Sequence, residues 1–283
     1  MEFWLRSATL QIGPKRFSMD DLNFSFEIPF EDSEELAHAN ITVYNLNESS
    51  RNSIRRGDAI IVNGGYEGDI GALFIGKVAG LSHKREPADW VTKIIAAPAL
   101  SEWLNSQVNK TYQKNTRARA ILMDLLALFG LEVGQLQLVK DITYPRGKVC
   151  KGKLKDVLTE MIAGDCKSRF LIRQNQVIVS DPESGDERGY VLSGATGLLA
   201  SNEDQTILQV ETPQTTRDTN EQKEEKEQTI KRQCLLNYHL GPGMALTIQS
   251  RSLNGRFLLV RGSHVGSRTG DWKTNIEVRP LSL

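Results

Sequence analysis

The sequence lacks the features by which secreted and membrane proteins are commonly identified. It contains only three cysteines, Cys150, Cys166 and Cys234, and their odd number and wide spacing fit neither a disulfide framework nor a zinc site. Free thiols in a reducing compartment are therefore expected. No apolar run approaches the roughly 18 residues that a membrane span requires, and the amino terminus lacks a signal-peptide core. We expect a soluble chain made in the cytoplasm without a secretion signal.

The sequence also lacks a net charge, because 35 lysines and arginines balance 35 aspartates and glutamates. Without a strongly basic field, sequence-specific binding of nucleic acid is not expected, and nothing draws the chain to an anionic membrane surface. The 283 residues are enough for one large domain or for two to three small ones.

Catalytic and ligand-binding motifs are missing as well. Residues 262–266, GSHVG, have the wrong spacing for a nucleophile elbow and are assigned to a loop. Residues 63–71, NGGYEGDIG, lack the Gly-Lys-Ser/Thr of a phosphate loop and are interpreted as a hairpin turn. Metal-ligand spacing is absent from the histidines, which are predicted to be surface or capped side chains: His38, His83, His239 and His264. No catalytic, cofactor-binding or metal-binding residue is predicted.

Three charged groups have a structural explanation that we prefer to a functional one. Arg56-Gly57-Asp58 matches an adhesion tripeptide, but it stands where a strand is predicted to begin. An acidic cluster could supply a glycosidase carboxylate, but a solvated loop explains it: Glu31, Asp32, Glu34 and Glu35. A basic cluster could face a nucleic-acid channel, but a solvated helix end is preferred: Lys148, Lys151, Lys153 and Lys155.

Short predicted strands dominate residues 1–108. Residues 22–30, LNFSFEIPF, alternate apolar and polar side chains, which is the period of a half-buried strand. A short polar connection is expected before Arg56. Further strands are predicted at 3–12, 41–46, 59–66, 72–81 and 90–97. Several short strands separated by turns indicate a small barrel or sandwich.

Residues 109–187 are predicted to form an α+β unit. Apolar side chains recur at helical spacing after Thr116 and again over residues 153–163, and Gly130 and Gly164 follow the two predicted helices. Residues 168–180 then predict a β-hairpin.

Strands return in residues 188–283, where a charged stretch interrupts them. Residues 214–232 hold five acidic and five basic residues and almost no apolar ones, so they are predicted to form a mobile loop or an extension ordered by a neighbouring subunit. The predicted strands in this region are 190–192, 198–201, 206–212, 233–240, 244–250, 256–264 and 273–280.

Residues 57–98 and 243–280 look like two copies of one β unit. The matched pairs are Gly57 with Gly243, Gly71 with Gly255, Lys77 with Arg261, His83 with His264, Trp90 with Trp272, Thr92 with Thr274, Ile94 with Ile276, and Pro98 with Pro280. Gly71 and Gly255 are placed in hairpin turns, and both histidines on polar loops. The predicted fold is α+β but mostly β, with two homologous small β-barrels flanking an α+β insertion domain.

These stretches resemble the late control protein D, or baseplate hub, family of bacteriophage tail proteins. Residues 41–78 show the family's order of a strand, a polar turn, Gly-Asp, an apolar strand ending in Gly-Tyr, and Phe-x-Gly-x-Val. Residues 144–147 and 154–182 resemble its insertion, and residues 236–278 resemble its end. The chain carries no extension that could be a peptidoglycan-cleaving domain, so cell-wall lysis is not expected.

The resemblance implies a structural, non-enzymatic component of the virion tail baseplate, assembled in the host cytoplasm. It implies a homotrimer whose β units form a pseudo-sixfold ring that connects the hexameric tail tube to the trimeric spike. The tape-measure protein and, transiently, DNA would occupy the central channel, and no cofactor is implied. An infectious phage and a phage-derived bacteriocin both stay open, as do contractile and non-contractile tails. The alternatives are a tail-associated cell-wall hydrolase and a β-rich glycan-binding adhesion module.

Overall fold

The computed structural model describes residues 5–31, 37–99, 106–130, 132–173, 176–184, 186–199 and 229–281. Within these ranges the chain is mostly β with few helices, which confirms the predicted fold class. The strands are β1 Arg6–Ile12, β2 Lys15–Ser18, β3 Phe24–Glu31, β4 Ala39–Tyr44, β5 Ala59–Tyr66, β6 Asp69–Arg85, β7 Trp90–Pro98, β8 Gln107–Tyr112, β9 Thr116–Arg117, β10 Val133–Leu136, β11 Thr143–Tyr144, β12 Lys148–Lys153, β13 Arg169–Arg173, β14 Gln176–Ser180, β15 Asp186–Ser193, β16 Ile230–Leu235, β17 Met244–Gln249, β18 Asn254–Ser267 and β19 Trp272–Pro280.

The helices are short. They are α1 Glu48–Ser53, α2 Ala118–Leu128 and α3 Leu154–Thr159, which continues as a π-helical stretch over Glu160–Asp165, and Gly194–Thr196 form a 3₁₀ turn. The short polar connection expected before Arg56 contains α1, which Asn47 starts by accepting a hydrogen bond from the amide of Ser50 at 2.7 Å. Among the described residues, every helix is too short or too polar to cross a membrane.

The middle of the chain has the predicted two helices and β-hairpin. Helices α2 and α3 pack with β13 and β14 around one hydrophobic cluster that includes Leu122, Leu158 and Val179. Part of the basic cluster lies elsewhere than predicted. Lys148, Lys151 and Lys153 belong to strand β12, which pairs with β8. Burial alternates along this strand, with Cys150 buried and its neighbours in the sequence exposed. The expected helix end therefore fits only Lys153 and Lys155, which stand at the start of α3, and not Lys148 and Lys151.

One sheet of 12 strands joins the two ends of the chain. Its main order is β15-β17-β18-β3-β4-β7-β6-β5-β1-β2, and β19 pairs with both β18 and β16. The central connection is the antiparallel ladder between β3 and β18, which runs from Ser25 opposite Ser267 to Glu31 opposite Arg261. Closure of either β unit into a barrel stays a prediction, as do the domain limits at 108/109 and 187/188.

Two hydrophobic clusters each contain residues from both ends of the chain. The first cluster, built mainly on β1 and β3–β7, also contains Leu236 and Trp272. The cluster built on β15–β19 receives Phe30 from β3. Residues from each end of the chain are therefore buried against the other.

The charged stretch 214–232 is only partly described. Residues 214–228, and the strand predicted at 206–212, lie outside the described residues. The carboxyl end of the predicted loop is wrong, because Ile230 begins strand β16 and pairs with Val278 of β19.

Candidate assembly interface

The two matched β units, β5–β6–β7 and β17–β18–β19, share one hydrogen-bonding register. The amide of Gly57 donates to the carbonyl of Val78 at 2.8 Å, and the amide of Gly243 donates to the carbonyl of Leu259 at the same distance. Both glycines have a positive φ, +94° and +75°, a conformation that glycine adopts without steric cost. The proposed match between these glycines is confirmed.

A β-bulge interrupts both units at the same place. The ladder between β6 and β7 shifts register between Val78 and Gly80, and the ladder between β18 and β19 shifts between Leu259 and Arg261. Arg261 therefore corresponds to Gly80, and its predicted match with Lys77 is wrong by three residues. A bulge adds a residue to one strand without a local signal in that strand's apolar pattern.

The predicted hairpin-turn glycines are not equivalent. Gly71 lies inside β6 opposite Gly64, and the turn of this hairpin is formed by Glu67 and Gly68. Gly255 lies in β18 opposite Ile248. The match between Gly71 and Gly255 is therefore wrong, because the first hairpin extends its strands further.

The strands that precede the two units also pair alike. Strand β4 pairs with β7 and ends with Tyr44 opposite Val91, and β16 pairs with β19 and ends with Leu235 opposite Lys273. Each ladder contains six residue pairs in the same antiparallel sense. The duplication therefore covers four strands in each half of the chain.

The same histidine–threonine pair occurs in both units. Nδ1 of His83 lies 3.0 Å from Oγ1 of Thr92, and Nδ1 of His264 lies 3.0 Å from Oγ1 of Thr274. Each histidine stands directly opposite its threonine on neighbouring strands. The placement of both histidines, and of residues 262–266, on loops is therefore wrong.

The two pairs differ in burial. His264 is 4% exposed, and burial lowers its pKa to about 3. His83 is exposed, and its pKa is lowered by partial burial of the ring and then by the charge of Arg51. Equivalent positions of the repeat are thus covered in the second unit and open in the first.

Strand β3 covers the second unit. The ring centroid of Phe30 lies 4.8 Å from that of His264, and the ring of Phe26 meets Trp272 edge-on at 5.9 Å. Trp272 is 3% exposed, whereas Trp90, its counterpart in the first unit, is 37% exposed. The alternating pattern of β3 predicts one buried face. It carries no signal that this face covers a segment more than 200 residues away in the sequence.

A second contact between the two ends involves Tyr238. Its hydroxyl donates to Oδ1 of Asp69 at 2.7 Å, and His239 Nε2 lies 3.6 Å from the same carboxylate oxygen. Burial and then the bond to Asp69 raise the pKa of Tyr238 to about 12, so the phenol stays protonated at neutral pH. Gly71 provides the space for this ring, because a Cβ there would overlap it.

Gly71→Ala is expected to destabilise the fold by about 1–3 kcal/mol, because the added methyl group must displace the Tyr238 ring. Gly80→Ala is the matched control on the same strand. A Cβ at position 80 meets Ile95 at 3.5 Å, which is ordinary contact. Urea denaturation followed by circular dichroism measures both variants, and equal midpoints would contradict this role of Gly71.

Two of the groups that suggested chemistry, Lys148 and Asp58, make structural contacts. Lys148 Nζ lies 2.5 Å from a carboxylate oxygen of Glu160 and 3.3 Å from one of Asp165, so its charge is neutralised within the insertion. Asp58 accepts the amide of Arg55 at 2.7 Å, as expected for a turn. Of the acidic cluster, Glu31 ends β3, and residues 32–35 lie outside the described part.

The cysteines are free and buried, in keeping with the prediction of free thiols. Burial raises the pKa of all three thiols, that of Cys234 to about 12, so they stay protonated at neutral pH. Within the described ranges, no group of three or more histidine, cysteine or acidic side chains is arranged to hold a metal ion.

No protein-family model and no curated protein matches this chain, but solved structures share its fold. The 43 kDa tail protein of prophage MuSo2 from Shewanella oneidensis superposes with a TM-score of 0.66 at 10% identity, over 98% of each chain. A tail protein from Neisseria meningitidis MC58 gives 0.64 at 10% identity, over 98% of this chain and 97% of that one.

A third similar structure comes from a secretion system. The E. coli c3393 protein, described as a component of the type VI secretion system similar to T4 tail proteins gp27 and gp5, gives 0.58 at 16% identity. The match covers 96% of this chain and 77% of that protein. The chain therefore has the fold of phage tail and type VI secretion components over nearly its whole length, in agreement with the resemblance seen in its sequence.

Proposed function

We propose that this chain is a baseplate hub protein, which trimerises and connects a hexameric tail tube to a trimeric central spike. The observation that carries the proposal is that one chain contains two similar β units joined to each other. Two units with the same bulge and the same His–Thr pair are connected by the ladder between β3 and β18. The likeness to tail proteins supports a structural role in the tail.

The symmetry follows from this duplication. A contact between unlike surfaces forms a ring when its rotation closes after a whole number of copies. If each chain supplies two units, three chains supply six, which matches a sixfold tube on one side and a threefold spike on the other. The α+β insertion, which only one part of each chain provides, would then have threefold symmetry and face the spike.

An open polar groove also supports the proposal. On the face of the sheet opposite the core, β3, β4 and the turn after β18 line an open groove with polar side chains that include Ser25, Glu27, Asn40, Thr42 and Asp271. A polar wall without a strong positive field would let a tape-measure protein or DNA pass without being held. Baseplate assembly in the bacterial host and a location in the virion tail belong to the same proposal.

Native mass spectrometry and electron microscopy of the full chain, alone and with tail tube subunits, test this function. We expect the mass of three chains and a ring of six similar lobes. A monomer that enters no particle would contradict the hub. Clearing of cell-wall substrate in a zymogram would favour the hydrolase, and saturable glycan binding by the monomer would favour the adhesion module.

A further inference from the structure

Strand β6 has an edge that its counterpart β18 does not expose. Along β18, pairing with β17 ends at Leu258 opposite Ala245, and β3 then takes the same side from Arg261 to Ser267. Along β6, pairing with β5 ends at Lys77 opposite Ala59. Among the described residues, no strand occupies that side of Gly80–Arg85, the segment that we call the open edge.

Backbone hydrogen bonds show which amides face the open edge. The amide of Glu86 donates to the carbonyl of Asp89, toward β7, and the equivalent amide of Ser267 donates to the carbonyl of Asp271, toward β19. Because successive amides of a strand alternate in direction, those of Leu81, His83 and Arg85 face away from β7. They form the same row of donors and acceptors that β18 presents to β3.

The side chains beside the open edge lack the cover that their counterparts have. Phe30 and Phe26 bury the ring positions of the second unit. In the first unit His83 is exposed, and Trp90 is 37% exposed with the guanidinium of Arg51 4.2 Å from the centre of its ring. An unpaired strand edge flanked by an exposed aromatic ring is a template for pairing with another chain.

We infer that the open edge pairs with a strand of a second copy of this chain, which also covers His83 and Trp90. This inference rests on the proposed ring, which needs a joint between chains equivalent to the joint within each chain. A second copy is the occupant that the duplication specifies, because the equivalent surface of the second unit already binds a strand of this protein. The contact is heterologous, so its repetition gives a ring where the rotation between chains closes, as the proposed threefold symmetry requires.

Arg85→Pro tests the joint. Proline removes an amide that faces the open edge and leaves the ladder between β6 and β7 intact. Arg16→Pro on β2 is the matched control. The amide of Met19 donates to Ala8, so the amide of Arg16 also faces away from its partner strand, at the far end of the sheet. We expect wild type and Arg16→Pro to show the mass of the assembly by light scattering, and Arg85→Pro to show the mass of one chain with an unchanged circular dichroism spectrum.

Amide hydrogen exchange gives a second measurement that needs no variant to fold. In the assembled wild type, the peptide that contains Leu81 and His83 is expected to exchange at least tenfold more slowly than in the dilute, dissociated chain. Slow exchange with dissociation of Arg85→Pro supports the inference. An associated wild type with fast exchange in this peptide, or with Arg85→Pro still assembled, overturns the joint and leaves the proposed hub standing. A wild type that stays monomeric alone and with tube subunits overturns both.

Discussion

Thr274→Val is expected to lower the free energy of unfolding by about 3 kcal/mol, whereas Thr92→Val, the matched change in the first unit, lowers it by less than about 1 kcal/mol. Both threonines are fully buried, and both substitutions replace a hydroxyl by a methyl group of similar size. The expected difference comes from the partners that each hydroxyl leaves behind.

Thr274 has several buried partners, which include Asn237, His264 and Cys234. Its Oγ1 accepts the amide of Asn237 at 3.0 Å and lies 3.0 Å from Nδ1 of His264. A backbone hydrogen bond at Leu240 also holds the His264 ring. Valine leaves an amide and a ring nitrogen unpaired away from water, and each costs about 1–3 kcal/mol.

Thr92 serves a partner that water can reach. His83 is exposed, so solvent replaces the lost bond to its Nδ1 at little cost. Guanidinium denaturation at one protein concentration gives both free energies. Thr92→Ser, which keeps the hydroxyl and removes the methyl group, serves as a control for packing. Equal losses of unfolding free energy at the two positions would show that the buried partners of Thr274 add no more stability than the partner of Thr92.

Local patterns predicted the elements that depend on neighbouring residues. The alternation in residues 22–30 predicted β3, and helical spacing predicted α2 and α3. Gly57 and Gly243 marked equivalent turns because only a positive φ fits there. The shared Trp-x-Thr-x-Ile spacing located β7 and β19, where Thr92 and Ile94, and likewise Thr274 and Ile276, are buried on one face of the strand.

The contacts between distant segments could not be predicted in this way. The partner of β3 depends on which strand offers a free edge, and that edge is created by the end of β17 rather than by any residue of β3. The bulges shift the register without changing composition, which is why Arg261 was matched three residues away from its true counterpart. The sequence does not predict the contact of Tyr238 with Gly71 either, because a glycine in a strand has several possible explanations.

Acidification is expected to destabilise the fold through His264. Its pKa is about 3 in the folded chain and about 6.5 when unfolded, because burial disfavours the charged ring. Between these values the unfolded chain binds a proton that the folded chain does not. Stability from this group is therefore complete above pH 6.5 and falls by about 1.4 kcal/mol for each pH unit below it, or about 2 kcal/mol between pH 6.5 and 5.

His264→Asn removes this dependence because asparagine has no titrating group. Its side-chain amide can still form a hydrogen bond with Thr274. We expect its free energy of unfolding to be lower than that of wild type at pH 7 and to change less between pH 7 and 5. Urea denaturation at constant ionic strength measures the slopes, and the carboxylates contribute equally to both proteins. His83→Asn is the matched control and should change the slope less, since solvent reaches that ring. Parallel curves for wild type and His264→Asn would show that the ring is accessible to protons in the folded chain, which the cover supplied by Phe30 opposes.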